Sequence, residues 1–556
     1  MIRGIGIGEG CALDRALIFH TQDFCLVPSN DSDPATQLCA LHAALDHVRD
    51  RNLKAQAKAG ENECAIFEAY NEILNDREGV IEPVEELIRN GHDAAHAVQI
   101  RFDALASMME SIIDERLRER AADFNDLKRA LLETLLDTQR LDLSALKEDV
   151  ILIANVLTPA DIVAMDVHRI HAIVCETGGV TSHLAIAARA CGIPAVLGCK
   201  GALNRIRPGD LIAVDAAAGE VFVNPDEATT SLFQRRMDER ARDLVALEAY
   251  RSRQTLDADN GVHKLMANVD SIEACHDALR FGCEGIGLLR SEFLYLGKEV
   301  LPDEQAQFET YRTVLELMGD LPVTVRTLDV GGDKALPALN MPKEDNPFLG
   351  CRAIRLCLRN EALFCTQLRA LYRASAYGKL RIMFPMIATL EELHRAKALC
   401  EKVKGELRAE HIPFDEDVPL GMMIEVPAAA IMADMFAPEV DFFSIGSNDL
   451  TQYTMAVDRT NETLSSLYRP DYPPVLRLIS YTVHAAKRAG IPCCLCGEAA
   501  GDQHMIPLLL GLGIDEFSVS KTSILTVRMQ IAQQHIAQCH EIAENALHGR
   551  LTNESE

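Results

Sequence analysis

A chain of 556 residues is too long for one compact core, so two or three domains are expected. Hydrophobic residues at 48% and charged residues at 25% exclude a fibrous or disordered protein. A formal charge of -28 argues against nucleic acid and anionic membranes as partners and favours basic proteins.

The opening MIRGIGIGEG has no apolar signal core, and no apolar run is long enough to span a bilayer. The expectation is a cytoplasmic chain without direct membrane insertion. The 17 cysteines are scattered, which predicts reduced thiols. Cys493, Cys494 and Cys496 cluster, but lack the second pair that a closed zinc site needs.

Short β-rich stretches at 3–7 and 16–19 open the chain and resume at 150–154, 172–175, 195–197, 211–215 and 220–223. Between them, 33–145 is rich in Ala, Leu and Glu, with apolar spacings of three and four, as in Ile66, Phe67, Tyr70, Ile73 and Leu74. This order predicts a small α/β domain, 1–20 and 146–228, with a helical domain, 21–145, inserted in it. Residues 21–145 hold 25 Asp and Glu against 13 Lys and Arg, which reads as a solvated face or as a surface for a basic partner. Residues 229–256 lack Gly and Pro and read as a linker helix.

From 257 to 556, strand and helix alternate. Eight strands are expected near 264–269, 285–290, 323–329, 380–385, 421–426, 441–446, 492–497 and 516–519, which fits a (β/α)₈ TIM barrel or, failing that, an open doubly wound sheet. Polar residues gather at the C-terminal ends of these strands: Arg290 and Ser291, Arg326 and Asp329, Glu425, Asn448 and Asp449, then Cys496, Gly497 and Glu498. Barrel enzymes build their active sites at that end, which favours the barrel.

Three groups of residues carry chemistry. In GGVTSHLAIAARACGIPAV, from Gly178 to Val196, glycines allow close approach and Thr181 or Ser182 can cap a helix whose first turn holds His183. Positive potential at a helix start keeps the imidazole neutral and nucleophilic and favours an attached phosphoryl group. Glu425 and Asp449, on consecutive strands, can hold Mg²⁺ while leaving positions for water and an anionic ligand. Arg290, Arg326, Arg352 and Arg459, with Lys334, supply guanidinium forks and charge for phosphate or carboxylate. A single arginine is more often a salt-bridging residue; several beside a Mg²⁺ site suggest a small, highly anionic substrate.

Taken together, GGVTSHLAIAARACGIPAV, GIGLLRSEFLY, RTLDVGGDKALP, NPFLGCRAIR, KLRIMFPM, EVPAAA, DFFSIGSNDLTQYTMAVDR and CGEAAGD resemble phosphoenolpyruvate-protein phosphotransferase, enzyme I of the bacterial sugar phosphotransferase system. The resemblance spans nearly the whole chain. It implies an α/β multidomain protein: a swivelling phosphohistidine domain, an inserted helical domain that docks the carrier HPr, and a dimerising barrel that binds phosphoenolpyruvate (PEP). By resemblance, His183 is the phosphorylated histidine and Arg189 a nearby phosphate contact. Glu425 and Asp449 are the Mg²⁺ ligands. Arg290, Arg326 and Arg459 bind phosphate, with Asn448, Lys334 and Arg352 lining the same mouth. Cys496 is the acid that protonates the departing enolate, and pyruvate leaves.

Val180, Cys351 and a C-terminus, ALHGRLTNESE, shorter than in many members depart from the usual pattern. Pyruvate phosphate dikinase and PEP synthase share the two modules but need a nucleotide-binding domain, and no GxxxxGK[ST] occurs here. A nitrogen-related enzyme I usually carries a sensory domain not visible in this sequence. A non-catalytic PEP-binding regulator should have lost His183 or a metal ligand, and all are present.

Overall fold

The computed structural model describes residues 1–8, 10–19, 26, 33–56, 61–111, 121–138, 143–178, 184–185, 188, 192–295, 298, 300–331, 337–339, 344–459 and 461–550. The chain divides into two compact units, Met1–Arg242 and Asp243–Glu556.

The first unit contains an eight-stranded mixed sheet. Its strands are β1 (Ile2–Arg3), β2 (Ile5–Ile7), β3 (Cys11–Phe19), β4 (Val150–Ala154), β5 (Ile170–Cys175), β6 (Ala195–Leu197), β7 (Leu211–Asp215) and β8 (Glu220–Val223), in the order β1-β8-β7-β3-β4-β5-β6-β2. The stretch expected as one strand over 3–7 is two strands. Gly4 passes so close to β6 that a Cβ there would lie 2.4 Å from the Leu197 carbonyl oxygen, and the chain switches from pairing with β8 to pairing with β6. The strand expected at 16–19 is longer. Its first half, Cys11–Arg15, pairs antiparallel with β7, and Ala16–Phe19 run parallel to β4. Asp14 and Arg15, partly or fully open to solvent, hid that first half from an apolar-run reading.

Between β3 and β4 lie the helices Pro34–Gln56, Glu61–Asn75, Glu82–Arg89, Ala94–Glu110 and Ala121–Leu135. Phe67, Tyr70 and Leu74 enter their shared core with Leu41, Val48, Ile88, Phe102 and Leu131, as the three-and-four spacing requires. The helix expected over 229–256 runs Glu227–Glu248.

The second unit is a closed barrel of eight parallel strands: β9 (Lys264–Val269), β10 (Ile286–Arg290), β11 (Val323–Arg326), β12 (Leu380–Phe384), β13 (Leu420–Ile424), β14 (Phe442–Ile445), β15 (Cys493–Leu495) and β16 (Glu516–Ser520). Pairing of β16 with β9 closes it, which rules out the open doubly wound sheet. Strands such as LGMMI and FFSI are apolar on both faces because helices cover the outside while neighbouring strands fill the lumen.

The lumen is layered. At the N-terminal end, the buried Glu516 carboxylate pairs with Lys264 at 3.0 Å and reaches across to Arg381 on β12 at 3.1 Å. Above it sits an apolar layer of Leu288, Met383, Met423, Phe442 and Cys496. Gly421 makes room for it: a Cβ there would be 2.4 Å from the Phe442 ring. The third layer, at the C-terminal mouth, is charged.

Candidate active site

The sequence places the charged layer by setting polar residues at, or within a few residues beyond, the C-terminal ends of several strands. Arg290 and Arg326 are the last residues of β10 and β11, and Glu425 follows β13 directly. Asn448 and Asp449 stand in the first turn of the helix Ser447–Met455 after β14, and Cys496 follows β15. Strand β11 stops at Arg326 rather than at Asp329: Thr327 N–H still donates to the Met383 carbonyl on β12 at 2.9 Å, but Leu328 N–H goes to Gln367 Oε1 at 2.9 Å and Asp329 holds the mouth arginines. Arg352 arrives from the long connection between β11 and β12, just before Ala353, whose φ is 53°.

These groups form a continuous buried ionic network. Arg326 Nη2 donates to Glu292 Oε1 at 2.6 Å, and its Nη1 pairs with Asp329 Oδ2 at 2.9 Å. Arg352 Nη2 donates to both oxygens of Asp329, at 3.0 and 3.1 Å. Its Nη1 reaches Asp449 Oδ1 at 3.4 Å and the Tyr453 hydroxyl at 3.2 Å. Glu425, 1% exposed, accepts the Met386 N–H at 2.6 Å, and Met386 presents that N–H from a left-handed backbone with φ 57°.

Burial alone would lower the pKa of both arginines, yet the surrounding carboxylates outweigh it and raise them above the ordinary value. Glu425 moves the other way from a normal carboxylate. Burial, then the charges of Asp449 and Asp329, push it up to about 8 against the opposing pull of Arg326 and Arg352. Glu292, Asp329, Glu425 and Asp449 are four buried carboxylates facing only two buried guanidiniums. The floor of the mouth therefore carries an excess of negative charge.

Cys496 is buried at the edge of this network. Its N–H donates to the Ile445 carbonyl at 3.0 Å and its Sγ lies 3.6 Å from the same oxygen. Burial pushes the thiol above its usual range, with Ser444, Arg326 and Arg290 pulling it part of the way back. At neutral pH it holds its proton. Asn448 Nδ2 donates to Glu498 Oε1 at 3.1 Å and its Oδ1 accepts the Glu498 N–H at 3.0 Å. Arg290 and Arg459 are exposed, and among the described residues neither has an ion pair.

A cavity of about 750 Å³ opens beside the network, lined by Arg290, Asn448, Cys496, Glu498, Asn268 and Lys521 among others. Arg326, Arg352, Glu425 and Asp449 are buried and do not line it. The structure thus brings Arg290, Arg326, Arg352, Glu425, Asn448, Asp449, Arg459 and Cys496 to one end of the barrel. His183, Arg189 and Lys334 lie outside the described residues. Their neighbours Leu184, Ala185 and Ala188 pack in the core of the first sheet with Ile173 and Ala195.

Sequence reasoning missed Glu292, the bridging role of Asp329, the Met386 N–H and Asn268. Glu292 sits in SEFL, which reads as an ordinary solvated acid next to a strand; its partner Arg326 is 34 residues away.

Three family models match the chain: PEP-utilising enzyme, N-terminal, over residues 3–120; PEP-utilising enzyme, mobile domain, over 146–219; and PEP-utilising enzyme, PEP-binding domain, over 246–536. The phosphoenolpyruvate-protein phosphotransferase of Priestia megaterium is 44% identical over 537 residues, 96% of this chain and 94% of that one. Those of Geobacillus stearothermophilus and Staphylococcus carnosus (strain TM300) are 43% and 41% identical, each covering 98% of this chain and 95% and 96% of their own. The chain belongs to the phosphoenolpyruvate-protein phosphotransferase family, and its activity is PEP-dependent phosphoryl transfer in the phosphotransferase system.

Proposed function

We propose that this chain moves the phosphoryl group of PEP onto His183 and then onto a histidine of an HPr-type carrier, releasing pyruvate as the first step of sugar uptake. The observation that carries the reading is the charged mouth, where candidate phosphate-binding and metal-binding groups gather at one end of the barrel, beside a cavity lined by Arg290, Asn448 and Cys496.

In the first step the bond from phosphorus to the enol oxygen breaks as a bond to the His183 imidazole forms. Arg290 and Arg459, without ion pairs among the described residues, are free to meet the phosphate and carboxylate of PEP together with Asn448, and Lys334, by resemblance, adds a further charge. Arg326 and Arg352 are held ready by Glu292 and Asp329 and complete the anion site, while Arg189 steadies the phosphoryl group on His183. The enolate left behind takes a proton at C3 from Cys496, whose thiol is protonated at neutral pH.

Glu425 and Asp449 fit Mg²⁺. Burial and the charges of Asp449 and Asp329 push Glu425 up to about 8, and a divalent cation held by Glu425 and Asp449 would offset that penalty and favour the ionised form of both. Bound there, Mg²⁺ would neutralise charge on the phosphoryl oxygens during in-line transfer.

The acidic residues of 21–145 support docking of a basic face of the carrier. Homodimerisation through the barrel is supported by Ile431, Met435 and Tyr481, which are 65%, 54% and 57% exposed on helices Pro427–Ile431, Ala433–Phe436 and Pro473–Ala489. No helix among the described residues is long and apolar enough to cross a membrane. The free thiols of the described cysteines fit a reducing cytoplasm.

The test is incubation with phosphoryl-labelled PEP, Mg²⁺ and an HPr-type carrier. The expected result is label on the intact chain and then on the carrier; His183→Ala should bind PEP and take up none. Stoichiometric label on that variant would place the acceptor elsewhere.

A further inference from the structure

The main chain at Cys496 is clamped from two sides. Its N–H is held by Ile445, and its carbonyl accepts from Asn268 Nδ2 at 2.9 Å. Asn268, next to last in β9, uses the same nitrogen to donate to the Ser518 carbonyl at 3.0 Å, while its Oδ1 accepts from Ser518 Oγ at 2.7 Å. One amide thereby ties the ends of β9, β15 and β16 together where the barrel closes. The next residue leaves no slack: a Cβ on Gly497 would stand 1.8 Å from Ser447 Oγ.

We propose that Asn268 is a positioning residue for protonation of the pyruvate enolate, holding the Cys496 carbonyl so that the thiol is aimed at C3. The inference rests on the reading of Cys496 as the proton donor. In that step the S–H bond breaks as the C3–H bond forms, and the thiolate left behind is reprotonated from water. Asn268 lines the same cavity as Cys496. Both of its N–H donors are spent on carbonyls, so it has none to offer substrate, and its effect must pass through Cys496.

Asn268→Asp separates this role from mere space filling. The carboxylate keeps the shape and the acceptor for Ser518 Oγ but loses both donors, so the Cys496 carbonyl is left facing a negative charge. A displacement near 1 Å is enough to cost about 100-fold in a step that depends on alignment.

The experiment is a single turnover of the full chain with labelled PEP and Mg²⁺, following two signals: label on the protein, and enolpyruvate released before it tautomerises, read by its ultraviolet absorbance. In Asn268→Asp and Asn268→Ala, label uptake should stay within about 2-fold of the parent while protonation on the protein slows about 10- to 100-fold, so that enolpyruvate accumulates. Cys496→Ala should slow protonation likewise, and adding Asn268→Asp to it should slow protonation no further.

Unchanged enolpyruvate release in Asn268→Asp, with Cys496→Ala impaired, overturns the positioning role and leaves the acid in place. Loss of label uptake together with protonation makes Asn268 a structural residue and equally overturns it. Normal protonation in Cys496→Ala removes the acid reading and this inference with it.

Discussion

Arg352 grips both oxygens of Asp329, with Nη2 at 3.0 and 3.1 Å, and the same carboxylate holds Arg326 at 2.9 Å. One acid thus sets the spacing of two guanidiniums. Asp329→Ala should leave both buried charges short of a partner and cost about 3–5 kcal/mol of barrel stability. Urea unfolding measures it. Asp329→Asn should lose less stability, yet still raise KM for PEP, because neither arginine is then pinned.

Glu425 predicts how the metal-free protein responds to pH. Its folded pKa of about 8 lies above the ordinary 4.5, so between these values the folded state keeps a proton that the unfolded state has released. Stability from this group is therefore full below about pH 4.5 and falls as pH rises through about 8, by a few kcal/mol in all at about 1.4 kcal/mol per unit. Thermal unfolding at pH 6 and pH 8.5 tests this. Millimolar Mg²⁺ should restore more stability at the higher pH, and Glu425→Gln should flatten the profile.

The exposed Ile431 and Met435 predict self-association. Ile431→Asp combined with Met435→Asp should weaken a dimer at least about 10-fold, two buried apolar side chains being worth several kcal/mol. Sedimentation equilibrium would show it. A mass distribution identical to the parent would move the interface away from these helices.

The acidic balance of residues 21–145 predicts steering. Raising ionic strength from low to physiological should slow association with an HPr-type carrier mainly through the on-rate, since exposed charges are screened beyond about 8–10 Å. Stopped-flow kinetics separates the two rates. A salt-independent on-rate would count against charge complementarity.

The barrel was legible because LGMMI, FFSI and their equivalents are short apolar runs followed within a few residues by a polar or charged one, eight times over. The mouth was legible for the same reason at Arg326, Glu425 and Asp449. What the sequence withheld is partnership. Asp449 and Arg352 are 97 residues apart, and nothing local in either segment tells which acid completes which base. Asn268 was hidden more completely, since an asparagine inside KLMANV shows no sign that its amide faces a seam formed 250 residues later. In the first sheet, the splitting of residues 3–7 at Gly4 depends on how closely β6 passes, which only the packed structure reveals.

Glu516, bonded to Lys264 and Arg381, plugs the barrel at the end away from the reacting groups. Glu516 is buried while Lys264 stays half exposed, and an ion pair with a buried member can often be exchanged for packed apolar side chains with no loss, or with a gain, of stability. A lineage entering a hotter or colder habitat can therefore change the durability of this fold at the plug while leaving the chemistry at the mouth untouched. Divergence among relatives adapted to different temperatures should accordingly accumulate at positions 264, 381 and 516 sooner than around Asp329.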